Sequence, residues 1–258
     1  MKVRNMQDSI IITIINDPDE DGPENLLRPY APMPVGMPVI YAGEDMPGSP
    51  FLGHFFIDEE ADQEPIEFLE GVPAPGHSAR GPIAITIEPR NAFGDGRHAT
   101  TLLCVRFLLE HLGEIPHEKR ANLSLLDAGA GTGVLSITAS RLGVGRIDAV
   151  EVNRHAVECA THHIGANDCG NITLHESDIA SFDPGLSYDI VTANLVTDVI
   201  IAHIEKLTGF IRPGGTLIAS GVSDGRDESV RREFLARGLM PVDFAKHDGW
   251  CGYVMKKG

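Results

Sequence analysis

Hydrophobic positions along the chain follow two different periods. From Ser9 to about Pro89 they form short β-type runs at 10–15, 39–42, 54–57 and 83–87, separated by Pro, Gly and acidic turns. After Gly94 the spacing becomes helical: Leu103, Phe107, Leu108 and Leu112 share a face of the segment 100–112, with Gly113 placed to end it. Strands and helices then alternate. The pattern predicts a strand at 123–127, a helix at 134–142 closed by Gly143, a strand at 147–152 and a helix at 154–163 with Asn153 as its N-cap. Further strands are expected at 172–178, 188–194 and 216–222, with helices near 197–210 and 228–237. Segments 241–245 and 250–256 face each other across the turn 246–249 as a terminal hairpin. This order predicts an α/β protein: a Rossmann-like, doubly wound, seven-stranded sheet over residues 86–258, preceded by a smaller β-rich region over residues 1–85. In such folds ligands bind at the carboxyl ends of the strands.

Composition adds bounds to this picture. A chain of 258 residues with 42% hydrophobic and 22% charged residues can bury a sizeable core, and 28 Gly with 17 Pro imply many tight connections. The formal net charge of −16 opposes binding to a nucleic-acid backbone and suits a basic protein partner or none. Much of that charge lies in the first region, where Asp17, Asp19, Glu20, Asp21, Glu59, Glu60, Asp62 and Glu64 fall between the strand runs. They read as a solvated surface or as a docking face for a basic substrate. The four cysteines, Cys104, Cys159, Cys169 and Cys251, form no CxxC pair, so buried reduced thiols are expected rather than a zinc or redox site. Histidines such as His162, His163 and His203 have no Glu or Cys at metal spacing, and no metal is expected. Without a secretion signal or a run of about 20 apolar residues, the expected location is cytoplasmic, with no membrane role.

The strand ending in Asp127 leads into Gly129, Gly131 and Gly133 and then a helix, a turn that brings backbone close to a ligand without Cβ interference. A dinucleotide fingerprint starting at Gly129 would need Gly or Ala at position 134, which is Val134. The G-x-G-x-G with a leading acid instead resembles methyltransferase motif one. A carboxylate at Asp127 has an electrostatic reason to sit near the cationic sulfonium of S-adenosylmethionine. Glu151, at the end of the next strand, offers two acceptor oxygens for the two hydroxyls of a ribose. Asp178 ends the third strand, where an acid meets the adenine amino group or makes an ordinary turn. Asn194 ends the fourth strand beside the methyl donor and is read as touching substrate or cofactor. Leu195 and Val196 follow it, so the Asn-Pro-Pro-Tyr signature of base and glutamine methylation is absent.

Residues 88–101, with Ala92-Phe93-Gly94-Asp95-Gly96-Arg97-His98-Ala99-Thr100-Thr101 at their centre, resemble the A-F-G-T-G-x-H-x-T-T segment of the PrmA family, whose members methylate ribosomal protein L11. The likeness continues through 125–133, Val150-Glu151-Val152, Ala193-Asn194-Leu195, Pro213-Gly214-Gly215, Ser220-Gly221 and Trp250. It implies S-adenosylmethionine contacts at Thr101, Gly129, Glu151 and Asn194, and a loop from Phe93 to His98 over the cofactor. The candidate cofactor residues are therefore Phe93, Thr101, Asp127, Gly129, Gly131, Gly133, Glu151, Asp178 and Asn194. The candidate catalytic residues are Asn194 and His98, the latter either accepting a proton or holding its loop by hydrogen bonds. Asp95 stands where the family has Thr, Glu151 where it has Asp, and the N-terminal region shows no convincing match to the family. Asp95 either attracts a cationic amine or stays in solvent. The resemblance implies methyl transfer to lysine or α-amino groups of a basic, ribosomal protein. The alternatives are another protein or small-molecule amine as acceptor, and a non-catalytic S-adenosylmethionine-binding scaffold.

Overall fold

The computed structural model describes the backbone of Ile10–Ile14, the strand Ile83–Ile87 and residues 98–258. The first two segments, β1 and β2, pair in parallel with Ile10 opposite Ile83. Ile85 and Ile87 of β2 are fully buried in the core of the larger unit. Thr86 gives its N–H to Asn167 Oδ1 (2.9 Å) and takes Asn167 Nδ2–H on its carbonyl (2.8 Å), so a side-chain amide stands in for a neighbouring strand. A domain boundary between residues 85 and 86 would cut this strand. The runs expected at 39–42 and 54–57 lie outside the described residues.

The larger unit runs α1 (Ala99–Gly113), α2 (His117–Arg120), β3 (Ser124–Ala128), α3 (Val134–Arg141), β4 (Arg146–Glu151), α4 (Arg154–Ala166) and β5 (Ile172–Glu176). It continues through β6 (Tyr188–Asn194), α5 (Thr197–Phe210), β7 (Ile211–Ser223), α6 (Asp227–Ala236), β8 (Leu239–His247) and β9 (Trp250–Lys257). The seven strands lie in the order β5-β4-β3-β6-β7-β9-β8, with β9 antiparallel to both neighbours. The chain moves outward from β3 to β5 and then returns to β6 on the other side of β3. This reversal opens a crevice at the carboxyl ends of β3 and β6.

Alternation along the strands sorts the core into two layers. Leu125, Ile147, Ile190, Ile218 and Val254 pack against Leu103 and Phe107 of α1 and Val134 and Ile137 of α3. Leu126, Val150, Val191, Leu217 and Tyr253 pack against Ile200 and Leu207 of α5 and Val230 and Phe234 of α6. Asn153 caps α4 as expected, its Oδ1 accepting from His155 and Ala156 N–H. The strand expected at 216–222 begins at Ile211, because Arg212-Pro213-Gly214-Gly215 reads as a turn but is carried into the sheet by the pairing of Ile211 with Tyr188. All four cysteines are buried.

One polar tie closes the amino ends of the central strands. Asp189 Oδ2 accepts from Ser124 N–H (2.8 Å) and Ser124 Oγ–H (2.7 Å), while Oδ1 accepts from Arg212 Nε (2.7 Å). Burial alone would raise its pKa, but the Ser124 bonds and the Arg212 guanidinium overcome it and hold the carboxyl below the ordinary value. A depressed native pKa contributes stability that is complete above the unfolded value of about 3.9 and is lost as pH falls through the lower native value. Asp189→Ala is therefore expected to cost about 2 kcal/mol near neutral pH, a fall in Tm of about 4–8 °C. Denaturant titrations at pH 7 and pH 3 test this, since the gap from the wild type should shrink at the lower pH.

Candidate active site

A cleft of about 470 Å³ occupies the crevice, within the range of small-molecule sites. At the β5–β4 side it is lined by Val152, Ser177, Asp178 and Ile179, in the middle by Gly129, Gly131 and Glu151, and at the β6–β9 side by Asn194, Gly221, Trp250, His98 and Thr100. Val196, Val199 and His203 of the α5 segment complete the wall.

The glycine loop crosses the cleft with φ of +80° at Gly129, +55° at Gly131 and +82° at Gly133. A Cβ on Gly129 would lie 2.4 Å from Leu195 Cδ2, so the loop and the segment after β6 are in direct contact. Gly221 (φ +93°) repeats this on the other side, where a Cβ would lie 2.0 Å from the Leu195 carbonyl oxygen. Leu195 N–H donates to Ser220 O (3.1 Å). The backbone after Asn194 is thus clasped between β3 and β7. Gly133 does not face the cleft; it opens α3 beside Ala160 of α4.

Glu151 is pinned by three backbone donors: Oε2 accepts from Gly131 N–H (2.9 Å), and Oε1 from Val152 N–H (2.9 Å) and Asn153 N–H (2.8 Å). A carboxylate has about four acceptor positions, so about one is left for the cleft, rather than one for each hydroxyl of a ribose. Asp178 lines the cleft and is also a turn residue, its Oδ1 accepting from Ala180 N–H (2.7 Å).

Asp127 departs from its expected place. Its carboxylate is fully buried beneath the loop, accepting from Ser136 N–H (3.1 Å) and Oγ–H (2.7 Å) on one oxygen and from Thr192 Oγ1–H (2.8 Å) on the other. Desolvation raises its pKa, the Ser136 and Thr192 bonds oppose the rise, and the Glu151 charge adds to it. It braces α3 and β6 and does not line the cleft. Thr101 is likewise fully buried, and its Oγ1 accepts from Asn194 Nδ2 (3.2 Å). That bond turns Asn194 Oδ1 away from Thr101, and this buried oxygen has no hydrogen-bond partner among the described residues. His98 caps α1: its Nδ1 accepts from Thr100 N–H, bonds Thr100 Oγ1 at 2.9 Å, and its ring meets Trp250 edge-on at 5.3 Å. Accepting the Thr100 N–H uses the lone pair of Nδ1, so this arrangement spends that nitrogen on the cap. Phe93 and Asp95 lie outside the described residues.

Sequence reasoning missed Val152, Val196, Val199 and His203. Val152 directly follows Glu151 and Val196 lies two residues after Asn194, and their exposures of 65% and 62% mark them as uncovered apolar surface in the cleft. His203 carries no sequence signal beyond its place one face along α5 from Val196 and Val199.

Among the described residues no helix is long and apolar enough to cross a membrane. A family model described as ribosomal protein L11 methyltransferase (PrmA) matches residues 72–258. A ribosomal protein L11 methyltransferase of Thermotoga maritima is 32% identical over 230 residues, 84% of this chain and 84% of the relative. One from Symbiobacterium thermophilum is 32% identical over 177 residues, 69% of this chain and 55% of the relative. A ribosomal protein L11 methylase structure from Lactobacillus delbrueckii subsp. bulgaricus superposes with a TM-score of 0.60 at 22% identity, covering 68% of this chain and 86% of that one. Fold and relatives together define an enzyme of the class I methyltransferase type. The chain belongs to the ribosomal protein L11 methyltransferase (PrmA) family.

Two substitutions separate bracing from binding. Gly221→Ala puts a methyl group against backbone at positive φ and is expected to cost at least about 2 kcal/mol and to displace Asn194, lowering both Tm and activity. Asp127→Ala removes the acceptor of three buried donors, of which, among the described residues, only the Thr192 hydroxyl has a second one in the Leu126 carbonyl, and should also lower Tm in the ligand-free protein. A ligand-free Asp127→Ala protein as stable as the wild type would show that the carboxylate is not a brace.

Proposed function

We propose that the chain transfers a methyl group from S-adenosylmethionine to an amine nitrogen of a basic ribosomal protein, with L11 as the first candidate. The observation that carries the reading is the buried Oδ1 of Asn194 at the end of β6, which has no donor among the described residues and is open to one such as the N–H of an amine.

The cleft fits the cofactor on its own terms. Val152 and Val196 offer apolar surface to a flat base, Glu151 retains an acceptor position for a ribose hydroxyl, and the glycine loop allows close backbone approach. Asp178 keeps Oδ2 for an exocyclic amine. When bound, S-adenosylmethionine supplies an electrophilic methyl carbon on a sulfonium.

The chain's own residues then position and desolvate the acceptor. Asn194 Oδ1 accepts an N–H of the amine, and the bond from Nδ2 to Thr101 Oγ1 fixes the direction of that acceptor. The amine must first lose a proton, because an ordinary lysine near pKa ~10.4 is charged at neutral pH. Val196 and Trp250 beside Asn194 favour the neutral form by excluding water, against the pull of Glu151 and Asp178. His98, with Nδ1 committed to capping α1, leaves the proton to solvent. The region ahead of β2, with its acidic connections, is assigned the docking of the basic substrate, and residues from β2 onward the chemistry.

The test is transfer of radiolabelled methyl groups to purified L11 and to a ribosomal protein extract. A labelled L11 band supports the reading, labelled small molecules move it to another amine, and cofactor binding without transfer reduces the protein to a scaffold. Asn194→Ala is expected to lower kcat at least about 100-fold with cofactor affinity changed only a few-fold. Below the acceptor's pKa, kcat/KM should rise about tenfold per pH unit, reflecting the required neutral amine.

A further inference from the structure

The polar side chains of the cleft divide into those already engaged and those with capacity to spare. His98 and Thr100 bond each other, three donors pin Glu151, and the Ser177 hydroxyl donates to the Asp178 carbonyl. At the β5 side two groups remain. Asp178 has one carboxylate oxygen beyond the one taken by Ala180, and the half-buried imidazole of His203 makes no hydrogen bond or ion pair with any described residue.

His203 is one helical face along from Val196 and Val199, three and seven residues after Val196, and these three line the same cleft. Two helical turns, about 10 Å, separate His203 from Val196. Ile200 and Ile204, three residues before and one after His203 on α5, pack in the same core layer as Ile179, and His203 lines the cleft together with Ser177, Asp178 and Ile179. A carboxylate accepts only, whereas a neutral imidazole can donate through one ring nitrogen. An acceptor beside a donor is the complement of a purine edge that carries an exocyclic amine next to a ring nitrogen, as adenine does.

We infer that His203 is a specificity-determining residue for the base of the bound nucleoside, donating an N–H to an adenine ring nitrogen while Asp178 accepts from the amine. The inference rests on the S-adenosylmethionine reading of the cleft and adds a residue on α5 to it. It gives the base end a polar group of its own, so that recognition there does not depend on the two valines alone. A site built to pair with a nitrogen discriminates strongly against an analogue that lacks it.

The test is a binding cycle by calorimetry on the full chain, independent of methyl transfer. S-adenosylhomocysteine and its 1-deaza and 7-deaza forms are titrated into wild type, His203→Leu and His203→Gln. In the wild type one deaza form is expected to bind about tenfold more weakly than the parent. His203→Leu should lose about tenfold for the parent and show no further loss for that deaza form, while His203→Gln, which keeps a donor, recovers part of the parent's affinity. Parent affinity unchanged in His203→Leu overturns the inference. So does a deaza penalty that is absent in the wild type or undiminished in the variant. Failure of S-adenosylhomocysteine to bind the wild type would instead overturn the cofactor reading itself. Thermal unfolding of each ligand-free variant separates lost binding from lost fold.

Discussion

Asp127 sits where three elements must be held together, and its burial makes their arrangement all or nothing. A fully buried carboxylate without partners would be too costly to keep, and here each oxygen is satisfied by a different neighbour. One takes the N–H and hydroxyl of Ser136 in the first turn of α3, where a negative charge also meets the positive end of the helix. The other takes the hydroxyl of Thr192 in the middle layer of β6. Two residues beyond Thr192 lies Asn194. The glycine loop and the strand end that carries Asn194 are therefore tied to the same group.

The same arrangement explains what could and could not be read from the sequence. The βα alternation, the Asn153 cap, the terminal hairpin and the glycine loop depend on local spacing, and the structure has each of them. Charge alone places Asp127 toward a cationic sulfonium, as the acid that leads the glycine loop. Strand alternation points the other way: Leu125 faces the layer of α1 and α3, so Asp127, two residues on, faces that layer as well. Parity within β3 was the available signal. His203 and Val199 had none, because which side of α5 meets the turn after β5 is decided by tertiary packing. The start of β7 was hidden for a related reason. Arg212, Pro213 and the two glycines carry local turn character, and only pairing to β6 makes them strand.

Around Leu195 the constraint is steric rather than electrostatic. Gly129 and Gly221 each leave out a Cβ that would meet Leu195, one at its side chain and one at its backbone. The residue after Asn194 is thereby fixed from both sides, and the amide keeps its bond to Thr101 instead of turning to satisfy its own oxygen. Leaving a buried acceptor unsatisfied costs about 1–3 kcal/mol in the absence of a ligand. A close-packed surround is what makes that arrangement tolerable, since relaxation would require moving β3 or β7.

Glu151 completes the argument for a cleft arranged before its ligands arrive. Glutamate has one more methylene than the aspartate usual at this position in the family, and here the side chain uses that length to reach back to the following N–H groups as well as to Gly131. Its charge is held by the backbone of two segments, so a hydroxyl that binds to it meets an oriented acceptor rather than a mobile one. Fixed dipoles need no reorganisation at the moment of reaction, which is where a preorganised site gains over water. The unsatisfied oxygen of Asn194 and the pinned carboxylate of Glu151 stand at opposite sides of the glycine loop. The first is held open by steric contact and the second held still by hydrogen bonds. The methyl transfer proposed above would use this division, with one end of the cleft fixing the donor and the other receiving the nitrogen.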